Sequence, residues 1–488
     1  MATVSSLGIG SNLDLTSLLA SIKSNEQAPL LVLQKQQTSY TSRLTAYGQL
    51  NSALSALQSA AATLSKATLF QGVKANSTAS DVVGATASAT AASGVYAVNV
   101  TQLSQAQSLA AAGVASSTAP IGTGAATTLT LDFGTLSGAT PDPLTGKYTG
   151  ATFTPDATRA ATSITIDASN NTLAGIRDAI NGNASIGVTA AIVNDGSATP
   201  NRLVLTSKQS GETSSMRIAV SGDAALSSLL AHDPAGLPAA QLQQTAVAQN
   251  SKLTVNGIAV TSASNSVVDA VQGVTMTLAK VGASSLTVQN DSASVQGAIT
   301  TFVNAYNSFQ NVSKQLTAFD AAKKTGAILL GDATLRNIQV AIRATLTGAQ
   351  VPDSSGLTTL SQIGVSFQKD GTLAIDATKL TAALGSHLSG VANLFSGSAG
   401  VGGYGNQLAT LITGFTDANG VLSAATKGVN TSLDTLSKQY TATSDRIDAT
   451  VARYKAQFTQ LDTLISSMNQ TSSYLTQQFN ALNNTTTK

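Results

Sequence analysis

Cysteine and tryptophan are absent from this chain of 488 residues, and histidine occurs only twice. Without cysteine the protein cannot form disulfide bonds, thiolate nucleophiles or cysteine-ligated metal sites. The two histidines, His232 and His387, are far apart in the sequence, and neither lies in a cluster of carboxylates. Neither a zinc site nor a histidine base is therefore indicated. We predict that both histidines lie at the surface or at helix ends, and that the protein holds no metal and no cofactor.

Charged side chains are scarce. They make up 10% of the chain, against about 25% in a typical soluble domain. The 26 basic and 24 acidic residues are spread along the sequence and form no block of one sign. Such a surface lacks both the basic stripe that follows a phosphate backbone and the basic patch that binds anionic lipids. We therefore expect no nucleic-acid partner.

Long apolar runs are also missing. No basic residue precedes Lys23, and the residues before it contain no continuous apolar stretch of the signal-peptide type. No other segment reaches the ~18 apolar residues of a membrane span. We expect no membrane insertion and no cleavable secretory signal, so that any export would need another route.

Apolar residues at coiled-coil spacing occur near both ends of the chain. Steps of three and four residues connect them, which is typical of helices that pair along one stripe. Each terminal helix has such a stripe and no local partner, so the simplest burial packs one terminus against the other. The residues predicted to form this seam are Leu33, Tyr40, Leu44, Tyr47, Leu54 and Leu57, followed near the C terminus by Leu433, Leu436, Tyr440, Ile447, Tyr454, Phe458, Leu461, Ile465, Met468, Leu475 and Phe479.

Two interpretations of this seam remain open. It either forms an antiparallel stalk within one chain and nothing more, or it also contacts other subunits in an assembly. From Leu30 to Lys66 the only charged residues are Lys35, Arg43 and Lys66 itself, so ion pairs can add little to the stability of this helix. Helices of this composition should be marginal alone and well ordered only inside a larger assembly.

The middle of the chain changes from helical spacing to alternation. Turn signals such as Asp195-Gly196 and Asn256-Gly257 separate the alternating segments, so residues 76–291 predict mostly antiparallel β-structure with a few short helices. Residues 116–160 contain few large apolar side chains, and we expect an exposed lobe or loop there. The alternating residues are Tyr96, Val98 and Val100; Leu129 and Leu131; Ile164 and Ile166; Val188, Ala190 and Ile192; Leu203 and Leu205; and Leu286 and Val288.

Helical spacing returns after residue 292 and is interrupted once. Residues 360–376 alternate on both sides of Asp370-Gly371, which predicts one hairpin among helices. The predicted fold class is therefore α+β and multidomain. A terminal α-helical coiled-coil stalk carries a mostly antiparallel β head, which is inserted between the two helical ends.

Catalytic and nucleotide-binding motifs are weak. Gly400, Gly402 and Gly405 spell G-x-G-x-x-G, but no strand enters this motif and no acidic residue follows convincingly, so a flexible connection between helices is the better interpretation. Asp195 and Asp370 precede glycine in turns, where aspartate is favoured for backbone reasons. No serine lies in G-x-S-x-G or S-x-x-K after a predicted strand. We predict that the protein is not an enzyme and has no catalytic, cofactor-binding or metal-binding residue.

Five segments resemble those of flagellar proteins. Ser5–Leu19, SSLGIGSNLDLTSLL, is similar to the start of flagellar filament cap proteins of the FliD (hook-associated protein 2) family, where a glycine-containing element leads into the first helix. Gly94–Leu109 resembles the segment after that family's first stalk, Ser251–Leu278 its return strands, and Leu360–Leu380 its hairpin. Leu173–Ser210 resembles the hook-IN type module of flagellar axial proteins.

The resemblance implies a division of the chain in which both ends enclose the head. The expected domains are an N-terminal helical leg at 1–42 that pairs with a C-terminal leg at 445–488; a helical stalk domain at 43–75 and 292–444 with the hairpin at 360–376; a β head domain at 76–110 with return strands at 249–291; and an outer head domain at 111–248 with the hook-IN-like module at 170–222.

The implied function is a structural cap at the distal tip of the bacterial flagellar filament, with the seam residues as candidate filament contacts. Such a cap promotes the ordered polymerisation of exported flagellin and prevents its loss. The implied partners are further copies of the chain in a homo-oligomeric ring, flagellin, hook–filament junction proteins, and an export chaperone at the C-terminal helix. The protein would be secreted through the flagellar type III apparatus without a cleavable signal peptide. The alternative function is a tip adhesin that binds host mucin or surface glycans through the β-rich head.

Overall fold

The structure is a computed structural model that describes residues 13–237, 241–398 and 402–485. Its helices are α1 (Leu15–Glu26), α2 (Ala28–Leu64), α3 (Ala67–Phe70), α4 (Leu173–Gly182), α5 (Ala224–Leu230), α6 (Ser292–Thr317), α7 (Ala333–Thr347), α8 (Ala377–Ser386), α9 (Leu388–Ser396), α10 (Tyr404–Thr416) and α11 (Val421–Thr485). Its strands are β1 (Val73–Ser77), β2 (Val83–Ala87), β3 (Gly94–Gln102), β4 (Ser108–Ala110), β5 (Thr127–Ser137), β6 (Thr152–Pro155), β7 (Thr162–Ile166), β8 (Val188–Asn194), β9 (Asn201–Ser207), β10 (Ser215–Ser221), β11 (Gln243–Ala246), β12 (Ser251–Val255), β13 (Ile258–Ser262), β14 (Ser266–Val271), β15 (Val274–Leu278), β16 (Gly282–Asn290), β17 (Phe319–Asp320), β18 (Thr325–Gly326), β19 (Val365–Phe367) and β20 (Leu373–Ile375).

The chain divides into two compact units. The helical unit combines the residues up to Phe70 with those from Ser292 onward, and the β unit is Gln71–Asp291. The predicted fold class is confirmed, because long helices near both ends of the sequence flank a middle part of the sequence that is rich in antiparallel strands. The finer domain boundaries remain a prediction.

Local sequence signals set the ends of the helices. Pro29 lies in the first turn of α2, where its missing N–H is not needed. Aspartates cap other helices: the Asp14 carboxylate accepts a hydrogen bond from the Ser17 N–H at α1, and Asp376 accepts one from the Lys379 N–H at α8. These carboxylates satisfy backbone donors that have no partner inside the helix.

The helical unit has one continuous hydrophobic core, to which α2, α6, α7, α8, α9, α10 and α11 contribute. An aromatic cluster lies within it: the ring of Phe395 meets Phe302 edge-on at 6.1 Å and Tyr404 at 6.4 Å. The buried Tyr404 hydroxyl donates to the carbonyls of Gly348 and Thr358, so this polar group remains satisfied inside the core. The predicted hairpin at 360–376 is confirmed, because β19 and β20 pair with Val365 opposite Ile375.

The β unit contains two separate hydrophobic cores. A five-stranded sheet of order β1-β16-β3-β12-β13 and a three-stranded sheet of order β14-β15-β2 enclose one of them, which includes Val98, Val100 and Met276. The second core includes Leu131 and Leu205, and the helices α4 and α5 contribute to it. It is formed by two sheets, one of order β10-β5-β6 and the other of order β11-β4-β9-β8. In the first of these sheets β7 also pairs with β5. We keep the predicted subdivision of the head as a proposal that these two cores support.

The alternation predicted for the head strands is confirmed. Leu129 and Leu131 lie on β5, and Leu203 and Leu205 on β9, with each of these side chains buried. The Asn256-Gly257 turn connects β12 to β13, and both turn residues have positive φ angles, 49° and 83°. Two positive φ angles in a two-residue loop match the twist of an antiparallel hairpin, which is why asparagine and glycine are favoured there.

The predicted exposed lobe or loop at 116–160 is wrong for part of the segment, although residues 138–150 are a largely exposed loop. The segment contains β5, which pairs with β6, β7 and β10. Phe133 on β5 is buried, and so are Tyr148 and Phe153 further along. The guanidinium of Arg159 stacks on Phe133 at 3.6 Å from the ring centroid. A few well-placed large side chains are therefore enough to form a core here, although the composition of the segment is poor in them.

Candidate functional site

The candidate site is the seam between the terminal helices α2 and α11. Residues 36–43 of α2 line one groove together with residues 431–439 of α11, and residues 44–51 line a second groove with residues 422–427. The numbering rises along α2 as it falls along α11, so the two helices run antiparallel. The predicted packing of one terminus against the other is therefore observed in the helical unit.

The part of the seam nearest the core is covered within the single chain. Tyr47, Leu54 and Leu57 of α2 are buried in the core of the helical unit, and Leu436 and Ile447 of α11 are buried as well. The remaining seam residues of this part are half-buried: Leu33, Tyr40, Leu44, Leu433 and Tyr440. We call this part the inner seam.

The rest of the seam is only partly covered. Tyr454, Phe458 and Ile465 of α11 are half-buried. The exposed fractions of the others are 39% for Leu461, 63% for Met468, 48% for Leu475 and 64% for Phe479. We call these seven residues the outer seam.

The single chain therefore covers the inner seam but leaves much of the outer seam uncovered. The reason is the unequal length of the helices: α11 has 65 residues, whereas α2 has 37 and α1 has 12. Contact between the seam residues and the filament stays a prediction.

The short helix α1 extends the partnership of α11. It precedes α2 directly, with only Gln27 between them, and packs against α11. Leu15, its first residue, is only 4% exposed. Residues 1–12 of the predicted leg lie outside the described residues.

A polar cluster fixes α2 to the start of α7. The Asp332 carboxylate accepts hydrogen bonds from the Tyr47 hydroxyl at 2.6 Å, from the Arg43 guanidinium at 3.3 Å and from the Leu335 N–H at 3.0 Å. Its side chain is 5% exposed. Burial, followed by the neighbouring Asp332 carboxylate, raises the pKa of Tyr47 to about 12. The phenol therefore stays protonated and keeps donating across the whole physiological pH range. We call these three side chains the Asp332 clamp.

The Asp332 clamp could not be predicted from the sequence. Asp332 directly precedes a helix, and an aspartate in that place signals an N-cap. Its two other partners, Arg43 and Tyr47, lie more than 280 positions earlier in the chain. No local pattern connects residues so far apart, and the spacing of Tyr47 predicts only an apolar position in the seam.

The clamp borders the larger of the two grooves. This groove has a volume of about 650 Å³, and its lining is mainly small polar side chains of α2 and α11 with Tyr40, Leu436 and Ile328. The smaller groove, of about 460 Å³, is lined by Leu44, Tyr47 and Leu422 among others. Neither groove contains the paired carboxylates or the base and nucleophile that hydrolysis would need.

The described glycines of the G-x-G-x-x-G motif have roles in the backbone conformation and in helix packing. Gly402 has a positive φ of 79°, and Gly405 lies inside α10, where a Cβ atom would meet the backbone of Ala61, Ser65 and Phe395 at 2.8 Å. Gly405 is therefore a close-packing residue, while Gly400 lies outside the described part of the chain.

The other polar candidates are also explained locally. Asp195 forms an ion pair with Arg202 across the β8–β9 hairpin, and this bond holds the pKa of its carboxyl well below the usual range. Asp370 accepts from Thr372 in the β19–β20 turn, which lowers its pKa to about 2. Within residues 13–237, 241–398 and 402–485, no group of three or more histidine and acidic side chains is placed to hold a metal ion.

The histidines differ from each other. His387 is exposed at the junction of α8 and α9, as predicted. His232 directly follows the C-cap of α5, so it lies at a helix end as predicted, but it has no exposed surface, and the alternative of a surface position is wrong for it. It is enclosed because its backbone pairs with Ile218 of β10, which draws the ring into the β unit. Among the helices that the structure describes, none is both long and apolar enough to cross a membrane.

Two family models match most of the chain. The model described as the flagellar hook-associated protein 2 N-terminus matches residues 11–107, and the one described as its C-terminus matches residues 248–470. The residues between the two matches include the segment that resembles a hook-IN module, and that assignment stays a prediction.

Similar proteins match over nearly the full length. The chain is 40% identical to a flagellar hook-associated protein 2 of Escherichia coli over 98% of each chain. It is 39% identical to that of Salmonella typhimurium over 99% of this chain and all of the relative. Among solved structures, the D1-D2-D3 domains of the flagellar cap protein FliD from Escherichia coli are 36% identical, with a TM-score of 0.62. That match covers 79% of this chain and 99% of the other.

Proposed function

The chain belongs to the flagellar hook-associated protein 2 family, and from this premise we propose that it is a structural cap at the distal tip of the bacterial flagellar filament. There it promotes the ordered polymerisation of exported flagellin and prevents flagellin from being lost. The observation that carries the proposal is the full-length likeness to the Escherichia coli relative, together with the likeness to a solved structure named as a flagellar cap protein.

The outer seam supports a contact role for the terminal helices. Most of its side chains are exposed in the single chain, although apolar residues at helical spacing normally face a partner. We propose that the outer seam packs against neighbouring subunits or flagellin in the assembled filament. The same stretch of α11 is the place where an export chaperone would bind before assembly.

The proposed cap is a homo-oligomer outside the cell. We propose that copies of the chain form a ring, and that they reach the filament tip through the flagellar type III apparatus without a cleavable signal. Contacts with hook–filament junction proteins belong to the same proposal. In this role the cap binds and guides flagellin, which requires no enzymatic step.

The adhesin alternative rests on the β unit. No described feature favours binding of mucin or other glycans by this unit over the cap role, so the cap is the function proposed here. An adhesin would bind mucin through the isolated β unit and leave filament growth unaffected when that unit is removed.

Electron microscopy of the purified protein tests the proposal. A cap should form closed rings from which helical legs project, and immunogold labelling should place the chain at filament tips. Monomeric particles at every concentration, together with label distributed along the filament, would overturn it. Phe479→Asp changes the outer seam alone, so a ring that persists while tip labelling is lost would separate leg contacts from ring contacts.

A further inference from the structure

His232 is buried in the β unit with an incomplete set of hydrogen bonds. Its Nδ1 accepts from the Leu242 N–H at 3.1 Å. Its Nε2 is buried and has no hydrogen-bond partner among the described residues. Because Nδ1 accepts, the ring is the neutral tautomer with its proton on Nε2.

Leu242 belongs to a strap, Gln241–Ala246, that closes one edge of a sheet. Its strand β11 pairs with β4, with Gln243 opposite Ala110 and Gln244 opposite Leu109. The side chain of Leu242 is 5% exposed and lies in the same hydrophobic core as Leu109. Without the strap, β4 would present an open strand edge and this part of the core would meet water.

The other groups that hold the strap do not change protonation state near neutral pH. The Gln241 side chain accepts from the Tyr148 N–H at 2.9 Å and donates to the Tyr148 carbonyl at 3.2 Å. The side-chain Oε1 of Gln244 accepts a hydrogen bond from the Nε2 of Gln107 at 2.6 Å. The imidazole of His232 is therefore the one group holding the strap, among the residues that the structure describes, whose hydrogen-bonding role reverses in mild acid.

Few charges face the ring. The strap and α5 contain no titratable residue. On β10 the neighbour Arg217 alternates away from Ile218 and pairs with Asp132. Two charges act on the imidazole through space: Asp233 favours its protonation and Lys147 opposes it. Burial outweighs both, and it lowers the pKa of His232 from 6.5 to about 4.

We propose that His232 is an acid-sensitive latch, whose neutral imidazole holds the Leu242 N–H and whose protonated form releases the strap from β4. Protonation turns Nδ1 into a donor that faces another donor, and it places a charge in a buried site where no described group accepts a hydrogen bond from Nε2. Opening the strap gives the ring access to water, where the cation is stable.

Thermodynamic linkage gives the expected size of the effect. A ring that titrates near 4 when the strap is closed and near 6.5 when it is open shifts the equilibrium toward opening as the pH falls. Relative to pH 7, the opening constant should rise more than tenfold at pH 5 and about a hundredfold at pH 4. Below the lower pKa the rise should level off.

Hydrogen exchange on the full chain tests the latch. Protection factors, which correct for the intrinsic effect of pH, should fall at the Leu242 amide between pH 7 and pH 4 by the amounts given above. Amides of Leu203–Leu205 on β9 should keep their protection over the same range. Simultaneous loss at both places would indicate unfolding of the whole unit, and unchanged protection at Leu242 would mean that no latch exists. Either result overturns the proposal.

Two variants isolate the imidazole. In His232→Asn the amide oxygen can still accept from the Leu242 N–H but does not titrate, so its strap should lose less than threefold in protection down to pH 4. His387→Asn removes the exposed histidine and should respond to acid as the unmodified chain does. If His232→Asn opens as the unmodified chain does, the proposal fails. Should that variant not fold, the imidazole resonances of the unmodified protein decide, because the titration of His232 must coincide with the shift of the Leu242 amide.

Discussion

Replacing Asp332 with alanine should destabilise the helical unit by about 3 kcal/mol, and the clamp shows how this sum arises. Loss of the N-cap of α7 costs about 1 kcal/mol. The Tyr47 hydroxyl, in a side chain that is 4% exposed, loses its acceptor, which costs about 1–3 kcal/mol. The ion pair with Arg43 adds less than about 1 kcal/mol, because the arginine side chain is 41% exposed and solvent screens the pair.

Two further variants divide this sum. Tyr47→Phe removes one donor and leaves the cap intact, so it should cost about 1 kcal/mol. Asp434→Ala removes an exposed carboxylate of α11 that pairs with Lys438 four residues on, and should leave the stability almost unchanged, because solvent screens the pair. Asp434→Ala therefore serves as the matched control for loss of an aspartate in the same unit.

Urea unfolding at pH 7, followed by circular dichroism at 222 nm, measures these differences, since the helical unit supplies most of that signal. The expected order of stability is Asp434→Ala, then Tyr47→Phe, then Asp332→Ala as the least stable. An Asp332→Ala variant within about 0.5 kcal/mol of the unmodified protein would refute the reasoning, because a buried cap with three donors cannot then be stabilising α2 and α7.

Three further predictions concern packing and assembly. Gly405→Ala should cost about 1–3 kcal/mol in the same unfolding assay, because its Cβ would lie 2.8 Å from backbone atoms that cannot move aside; an unchanged midpoint would show that α10 shifts freely. Phe458→Asp and Leu461→Asp should stop filament growth, as measured by swimming and by filament length, while Gln460→Asp should not. Because the Leu461 side chain is 39% exposed, Leu461→Asp should hardly change the stability of the isolated chain. Equal tolerance of the three would show that no partner covers the outer seam. In the free protein, amides of Tyr454–Phe479 should exchange rapidly, and strong protection in a dilute sample would mean that this part of α11 is stable without a partner.

Periodicity accounts for how well the elements could be predicted. The alternation of Leu203 and Leu205 and the turn at Asn256-Gly257 each depend on neighbours in sequence, and the structure contains the strand and the hairpin that they predict. The same holds for the hairpin on both sides of Asp370. Signals of this kind are local, so a single sequence is enough to detect them.

The features that the sequence did not predict depend on contacts between distant parts of the chain or on the arrangement of side chains along a strand. His232 becomes buried because its backbone bonds to Ile218 and the strap closes over its ring, and neither partner can be identified from the residues around it. Asp332 meets Arg43 across nearly 290 positions of sequence. Residues 116–160 were judged on composition, although a strand needs only a few large side chains on one face to join a core.

Within the candidate site, the pattern of the seam could be predicted but its burial could not. Steps of three and four identify the apolar face of α11, yet they do not say how far a partner helix extends along it. Ile447 and Phe479 satisfy the same pattern, and one is 2% exposed while the other is 64% exposed. The difference between a stalk residue and a residue available to another protein is therefore visible only in the structure.

Filament growth in a deletion strain tests the central claim most directly. Cells that lack this chain should secrete monomeric flagellin into the medium and build no long filaments, and expression of the unmodified chain should restore filament length. Expression of Leu461→Asp should not restore it, whereas Gln460→Asp should. Filaments of normal length in the deletion strain, with no rise in secreted monomer, would contradict the assignment of this protein as the filament cap.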